Sequence, residues 1–156
     1  MPHQVLKAAV KGSTGDLAKI TAVVKSFDIN ILAIGGGEGM TVDGEVGVVS
    51  MIIEPDEETS DLEQALNDLD LGGGRRLADL EVIPNVHIAL ANEVGELSRA
   101  LEAIGDINIR AIVSLGDLLG ESHVGLGFAA GDLATAVDRL TDAEIKIIPH
   151  DEPPTA

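Results

Sequence analysis

The chain of 156 residues contains no cysteine, tryptophan or tyrosine and only two phenylalanines. Without cysteine it forms no disulfide, no thiolate metal site and no cysteine nucleophile. Because aromatic residues are so few, stacking platforms for single-stranded nucleic acid are missing, and aliphatic side chains must fill the core. Lysine and arginine are also scarce, 10 against 27 acidic residues, which gives a net charge of -17. This charge repels polyanions and therefore argues against nucleic acid and anionic membranes as partners.

Long apolar segments are also missing. No run of apolar residues reaches the ~18 positions that a transmembrane helix requires. Residues 1–10 are interrupted by lysine and other polar residues and lack the apolar segment of a secretory signal. The sequence therefore predicts a cytoplasmic protein with no membrane partner. Its acidity is typical of high solubility or of a salty cytoplasm and does not indicate a particular cationic partner.

The main positive feature of the sequence is an internal repeat. The tetrapeptide Asp-Ile-Asn-Ile occurs at 28–31 and again at 106–109, an offset of 78 positions. A nearby offset of 80 relates Gly-Asp-Leu-Ala-Lys at 15–19 to Gly-Glu-Leu-Ser-Arg at 95–99. Small insertions in loops explain the drift between the two offsets. The chain is therefore expected to contain two copies of one structural unit.

Hydrophobic periodicity predicts the order strand, helix, strand, strand, helix, strand in each copy. In the second copy Val86, Ile88 and Leu90 alternate with other residues as in a half-buried strand. Leu97 and Ile104 then follow at helical spacing. The predicted strands are 5–10, 29–34, 46–53 and 78–83 in the first copy and 86–90, 107–113, 123–129 and 144–148 in the second, with helices at 15–27, 61–69, 97–104 and 132–140.

This order predicts an α+β fold of two ferredoxin-like βαββαβ repeats, with antiparallel sheets and helices on one face. The predicted units are 1–84 and 85–150, followed by a disordered tail at 151–156. Each repeat leaves one sheet face and two strand edges open, which favours pairing of the copies side by side or face to face, and a homodimer. The open faces carry Lys7, Ala9, Asn30, His87, Ala89, Asn108 and Arg110.

The first loop of the second copy, residues 91–97, is a candidate binding site. Unpaired N–H groups and the helix dipole at the start of a helix suit a carboxylate or another small anion. Gly95 allows a ligand to approach the backbone closely. The Asn92 amide both donates and accepts hydrogen bonds, so it suits an amino group and a carboxylate together. Alternatively, Asn92 only caps the helix.

The segment Asn-Glu-Val-Gly-Glu-Leu at 92–97, followed by a short helix and Asp-Ile-Asn-Ile, resembles the signature of ACT domains. The resemblance covers residues 4–150 as two copies. It implies a non-catalytic regulatory protein that binds an amino acid or another small metabolite at domain or subunit interfaces, and that acts on a metabolic enzyme. The ligand residues expected on this basis are Asn92, Glu93, Val94, Gly95, Glu96 and Asn108 in the second copy, and Gly12, Ser13, Thr14 and Asn30 in the first.

The two copies are not equivalent in this respect. Gly12 stands in the first copy where Asn92 stands in the second. The hydroxyl groups of Ser13 and Thr14 either replace the missing amide or merely cap the helix. The second copy is therefore expected to bind ligand better.

Other patterns are weaker. The glycine-rich segment 35–39 lacks the Gly-Lys-Ser/Thr ending of a phosphate loop and precedes a strand, so it predicts a flexible connection. His87 and His123 can meet across neighbouring strands, so a transition-metal site there is an open alternative. No histidine has the helical spacing of the familiar metal motif, so surface or hydrogen-bonded histidines are expected, with no metal and no cofactor. Arg75 and Arg76 lie in a glycine-rich turn and are expected to be solvated.

Catalysis has little support, because the sequence lacks a Gly-x-Ser-x-Gly motif and its carboxylates fall mostly on helix surfaces and in loops. The protein is therefore not expected to be an enzyme. Two alternatives to a sensor remain. One is a regulatory subunit that docks on a metabolic enzyme without a ligand. The other is a small enzyme with a cleft beside residues 35–39 that uses His87 and His123.

Overall fold

A computed structural model describes the main chain of residues 3–10, 15–41 and 44–149, together with their side chains except those of 37–46. Gly12, Ser13 and Thr14 of the predicted ligand set and the predicted tail at 151–156 lie outside the described residues. The strands are β1 (Gln4–Val10), β2 (Asn30–Thr41), β3 (Gly44–Glu54), β4 (Ala78–Ala91), β5 (Ala111–Leu118), β6 (Glu121–Gly127) and β7 (Lys146–Ile148), and the helices are α1 (Asp16–Ser26), α2 (Ser60–Asn67), α3 (Glu96–Ile104) and α4 (Leu133–Asp142).

The strands form antiparallel pairs throughout the described sheet. Their order is β2-β3-β1-β4 in the first repeat and β7-β4-β6-β5 in the second. This is the predicted pair of ferredoxin-like βαββαβ repeats. Strand β4 serves both repeats, because its first half pairs with β1 and its second half with β6 and β7. The predicted boundary between residues 84 and 85 lies inside this strand, so the division into 1–84 and 85–150 stays a prediction.

The helices of each repeat cover one face of its strands, as predicted. In the first repeat Leu6 and Met51 of the sheet pack against Ile20 of α1 and Leu62 of α2. Burying such side chains contributes about 1.5–3 kcal/mol each. Within the described residues no helix is long and apolar enough to cross a bilayer. The second core consists of Val86, Ile88, Leu90, Ala100, Ile104, Leu126, Phe128, Ala136, Leu140 and Ile145.

The faces that the helices leave open are turned toward each other. Apolar side chains from both repeats form one further buried cluster, which we call the seam. The sheet is thus continuous through β4 and also folds back face to face, so both pairing modes left open by the sequence are present in part. The seam consists of Val5 and Ile52 from the first repeat and Ala111 and Val113 from the second, with Ala33, Ile83 and Leu115 partly buried against them.

Two glycines in β6 allow the sheets to approach this closely. A Cβ built on Gly125 would overlap Cδ1 of Ile52 across the seam. A Cβ built on Gly127 would lie 2.9 Å from Cδ1 of Ile83 and 3.2 Å from Cγ2 of Val5. Contacts this short are essentially never tolerated in packed interiors. The missing side chains therefore set the spacing between the two repeats.

Two local predictions were wrong. Residues 35–39 are not a loop, because β2 continues through them to Thr41 and pairs with β3. Main-chain pairing with β3 holds these residues in a strand and needs no side chain, so composition alone is misleading here. The second strand of the second repeat begins at Ala111 instead of 107. It runs to Leu118 because Leu119 and Gly120, both with positive φ, form a two-residue hairpin turn.

An ion pair joins the two helices of the second repeat. Arg139 of α4 donates to the Asp106 carboxylate at 2.7 Å and to the carbonyl oxygen of Ile104, the last residue of α3, at 2.6 Å. The hydrogen bond from Arg139 and its charge lower the pKa of Asp106 below its usual value of 3.8. A lowered native-state pKa stabilises the fold above the pKa of the unfolded chain, and this contribution disappears as pH falls through the lower native value.

We therefore expect Asp106→Asn to reduce stability modestly at pH 7 and to make stability depend less steeply on pH below about pH 4. Urea unfolding between pH 3 and pH 7 measures both effects. Asp138→Asn, at an exposed carboxylate next to Arg139 in sequence, is the matched control. Equal pH dependence of wild type and Asp106→Asn would contradict the prediction.

Candidate functional site

The predicted loop of the second repeat is a compact turn on the surface. Gly95 is the N-cap of α3 with φ of 90°, and Gly15 has the same place and nearly the same φ, 91°, before α1. Asn92 is exposed and is not the N-cap. The N–H groups of Glu93 and Glu96 already donate to carbonyl oxygens within the turn, and that of Asn92 donates to Gly120 of the β5–β6 turn. Val94 is fully exposed, so the loop offers a ligand fewer backbone donors than expected.

In the second repeat the predicted ligand residues lie toward opposite ends of strand β6. In the second repeat β4 ends at Ala91 opposite the start of β6, whereas Asn108 precedes a strand that starts opposite the end of β6. The six residue steps of β6 from Glu121 to Gly127 place these two strand ends about 20 Å apart. In the first repeat Asn30 pairs with Glu54, at the far end of β3 from the residue that pairs with Val10.

A cleft of about 420 Å³ instead lies between the repeats. Arg110 of the second repeat forms one wall, and the remaining lining comes from the first repeat. In the sequence Arg110 lies two residues after Asn108. Ala9 lies two residues before Lys11, the start of the predicted first loop of the first repeat. Arg110 therefore links the cleft to the predicted ligand residue Asn108. Its lining residues are Lys7, Ala8, Ala9, Val48, Asp79, Glu81 and Arg110.

Charged groups of both signs line this inter-repeat cleft. Lys7 Nζ donates to the main-chain oxygen of Arg110 at 2.9 Å, and the Arg110 guanidinium forms an ion pair with Glu81. Lys7 and Glu81 are register partners on β1 and β4. The Arg110 and Glu81 side chains are 38% and 26% exposed, so solvent reaches the pair. Two cations, two carboxylates and an aliphatic wall suit a small zwitterion.

Irregular backbone places Asp79 beside this cluster. The pairing of β1 and β4 shifts register between Lys7 and Ala9, and Asp79 has φ of 52°. A bulge redirects side chains, and positive φ at a residue other than glycine costs about 1–3 kcal/mol. Sequence analysis placed Lys7 and Arg110 on the open face but missed Asp79 and Glu81. The alternation of inward and outward residues along β4 predicts that Glu81 lies on the open face. No sequence pattern predicts the bulge that places Asp79 there.

Two further predictions concern single side chains. His87 and His123 do meet, with 2.7 Å between Nε2 and Nδ1. The described residues contain no group of three or more His, Cys, Asp or Glu side chains arranged to hold a metal. Arg75 is not simply solvated, because its guanidinium binds the buried Asp16 carboxylate at 2.8 and 3.1 Å.

No protein-family model matches the sequence, and no curated protein sequence is significantly similar to it. Solved structures resemble the fold over nearly the whole chain. Protein BT0572 from Bacteroides thetaiotaomicron has a TM-score of 0.62 at 16% identity, with 94% of this chain and 92% of that chain covered. The regulatory subunits of aspartate kinase from Thermus flavus and, in its ligand-free form, from Thermus thermophilus have TM-scores of 0.63 and 0.57 at 16% and 14% identity. The matches cover 92% and 91% of this chain and 94% and 92% of those subunits.

Proposed function

We propose that this chain is a non-catalytic regulatory protein that binds an amino acid in the inter-repeat cleft and responds by changing the packing between repeats or subunits. The observation that carries the proposal is the cross-repeat cluster of Lys7, Asp79, Glu81 and Arg110 lining the cleft. The likeness of the fold to regulatory subunits of aspartate kinase supports the regulatory role.

The cluster suggests a binding mode. Arg110 and Lys7 are placed to hold the ligand carboxylate, and Asp79 and Glu81 to hold its ammonium group. Because Arg110 belongs to the second repeat and the other three to the first, a bound ligand bridges the repeats. Such a ligand changes the packing of the repeats only to the extent that it binds one arrangement more tightly than another.

The sequence-based predictions of further ligand residues and partners also belong to this proposal. The loop at 92–96 with Asn108 stays the further candidate of the second repeat, and Gly12, Ser13 and Thr14 with Asn30 stay that of the first. We also propose that the protein is a cytoplasmic homodimer with a metabolic enzyme as its partner. Ligand binding would then act by changing how these proteins associate.

One observation favours docking without a ligand as the second function. The outermost strands β2 and β5 expose Ile34 and Ile112 at 47% and 51%, and unpaired apolar edges attract a partner.

Differential scanning fluorimetry against the twenty amino acids tests the proposal. A ligand that binds only the native state raises the midpoint of unfolding in a saturable way, by about 5 °C or more at about 100 times its Kd. We expect this shift for one chemical class of amino acid in the wild type. It should disappear in Arg110→Ala and persist in Arg76→Ala, the control at an exposed, ion-paired arginine outside the cleft.

Asn92→Ala distinguishes the two candidate sites. A shift that is lost in Asn92→Ala but retained in Arg110→Ala would place the ligand at the loop of the second repeat. The absence of any shift in the wild type would contradict amino-acid binding and favour the docking subunit. A partner search with the intact chain would then follow.

A further inference from the structure

A pair of histidines lies on the inner face of the second repeat. His87 on β4 and His123 on β6 are diagonal neighbours, since His87 pairs with Gly125 and His123 with Ala89. Nε2 of His87 lies 2.7 Å from Nδ1 of His123, and the ring planes meet at 64°. His123 is only 7% exposed. Two imidazole nitrogens thus converge on one point in a largely buried position.

A buried amide without a partner lies on the same face. Asn85 precedes His87 by two positions on β4 and is 2% exposed. Neither polar atom of its side chain has a hydrogen-bond partner within the described structure. Its Oδ1 lies 2.7 Å from the position that a Cβ would take on Gly125, the residue paired with His87. The amide oxygen therefore lies beside Gly125, the residue that pairs with His87.

An unsatisfied buried amide is costly, because its polar groups lose their hydrogen bonds to water and gain none in return. Such groups are rare in native structures and point to an unmet role, such as an ion or a water. Imidazole is a preferred ligand for zinc, copper and nickel, whereas magnesium and calcium select oxygen. The combination of two convergent imidazoles and a nearby orphan carbonyl oxygen therefore suits a transition metal rather than a hard cation.

We propose that His87 Nε2 and His123 Nδ1 bind one divalent transition-metal ion, with water completing the coordination and Asn85 Oδ1 accepting a hydrogen bond from that water. The ring that now donates its N–H moves this proton to its other nitrogen, so both imidazoles stay neutral and no proton is lost. Metal–nitrogen bonds of about 2.0–2.1 Å in a tetrahedral arrangement require the two nitrogens to move apart to about 3.3 Å. Small ring rotations suffice for that change. The site is separate from the inter-repeat cleft.

The test uses a chain in which the other two histidines are replaced, His3→Ala with His150→Ala, so that only the pair remains. Isothermal titration with Ni²⁺ or Zn²⁺, in excess Mg²⁺ to saturate the many surface carboxylates, should still give one ion per chain. Cu²⁺ bound to this chain should show an electron paramagnetic resonance spectrum with coupling to two nitrogens. Loss of binding in this pair-only chain would overturn the proposal.

His87→Gln and His123→Gln, each made in the pair-only chain, keep a hydrogen-bonding side chain of similar size. Each should weaken the affinity for Ni²⁺ at least about tenfold, the loss typical of a disrupted metal environment. Asn85→Leu should also weaken binding while leaving the metal-free protein equally or more stable, because it removes the orphan amide. Unchanged affinity in the double variant His87→Gln with His123→Gln would mean adventitious binding by carboxylates and would refute the site.

Discussion

Gly125→Ala is expected to lower the free energy of unfolding by about 3 kcal/mol, because the new methyl group would overlap Cδ1 of Ile52 across the seam. The same methyl would lie 2.7 Å from Oδ1 of the buried Asn85. Strand β6 cannot retreat easily, since β4 and β5 pair with it on both sides. Urea denaturation monitored by circular dichroism measures the loss.

Two variants make this result specific to the seam. Gly131→Ala is the control, because nothing lies within 4 Å of its added Cβ and it does not have positive φ; we expect a change within about 0.5 kcal/mol. Ile52→Val removes the methyl that Gly125→Ala would strike, so the double variant should cost less than the sum of the two single variants. Strict additivity would show that the two residues do not meet.

Arg75→Ala should be the second most damaging change and should cost clearly more stability than the loss of an exposed ion pair, because it leaves the buried Asp16 carboxylate without this cation. Asp16, at the first turn of α1, has a side chain only 4% exposed and receives both hydrogen bonds of its fork from Arg75. The same guanidinium also donates to the carbonyl oxygen of Leu71 at 2.8 Å. Without Arg75 the Asp16 charge stays buried with less compensation, which is far more costly than the loss of an exposed pair.

The adjacent arginine provides the comparison. Arg76 forms an ion pair with Asp70 at 3.7 Å in which both side chains are about half exposed. Arg76→Ala is therefore expected to cost about 0–0.5 kcal/mol, as for a surface pair. Thermal and urea unfolding of both variants measures the contrast. Equal losses would show that the Asp16 pair is no more important than a surface pair.

Arg75 also shows what amino-acid composition alone does not predict. A glycine-rich turn predicted a solvated side chain, yet the turn brings Arg75 to a residue 59 positions earlier in the chain. Polar contacts across such separations have no local signature. The inter-repeat cleft is another case, because it needs Arg110 from one repeat beside Lys7 and Glu81 from the other.

Sequence alone determined the element order, the repeat and the α+β class, because apolar periodicity and turn residues act over a few neighbouring positions. It also placed Gly95 and Gly15 at equivalent helix starts and identified His87 and His123 as residues able to meet. Only the tertiary structure decided how the repeats meet. The seam and the cleft depend on strand register and on the spacing that Gly125 allows, and both arise from packing between residues far apart in the chain.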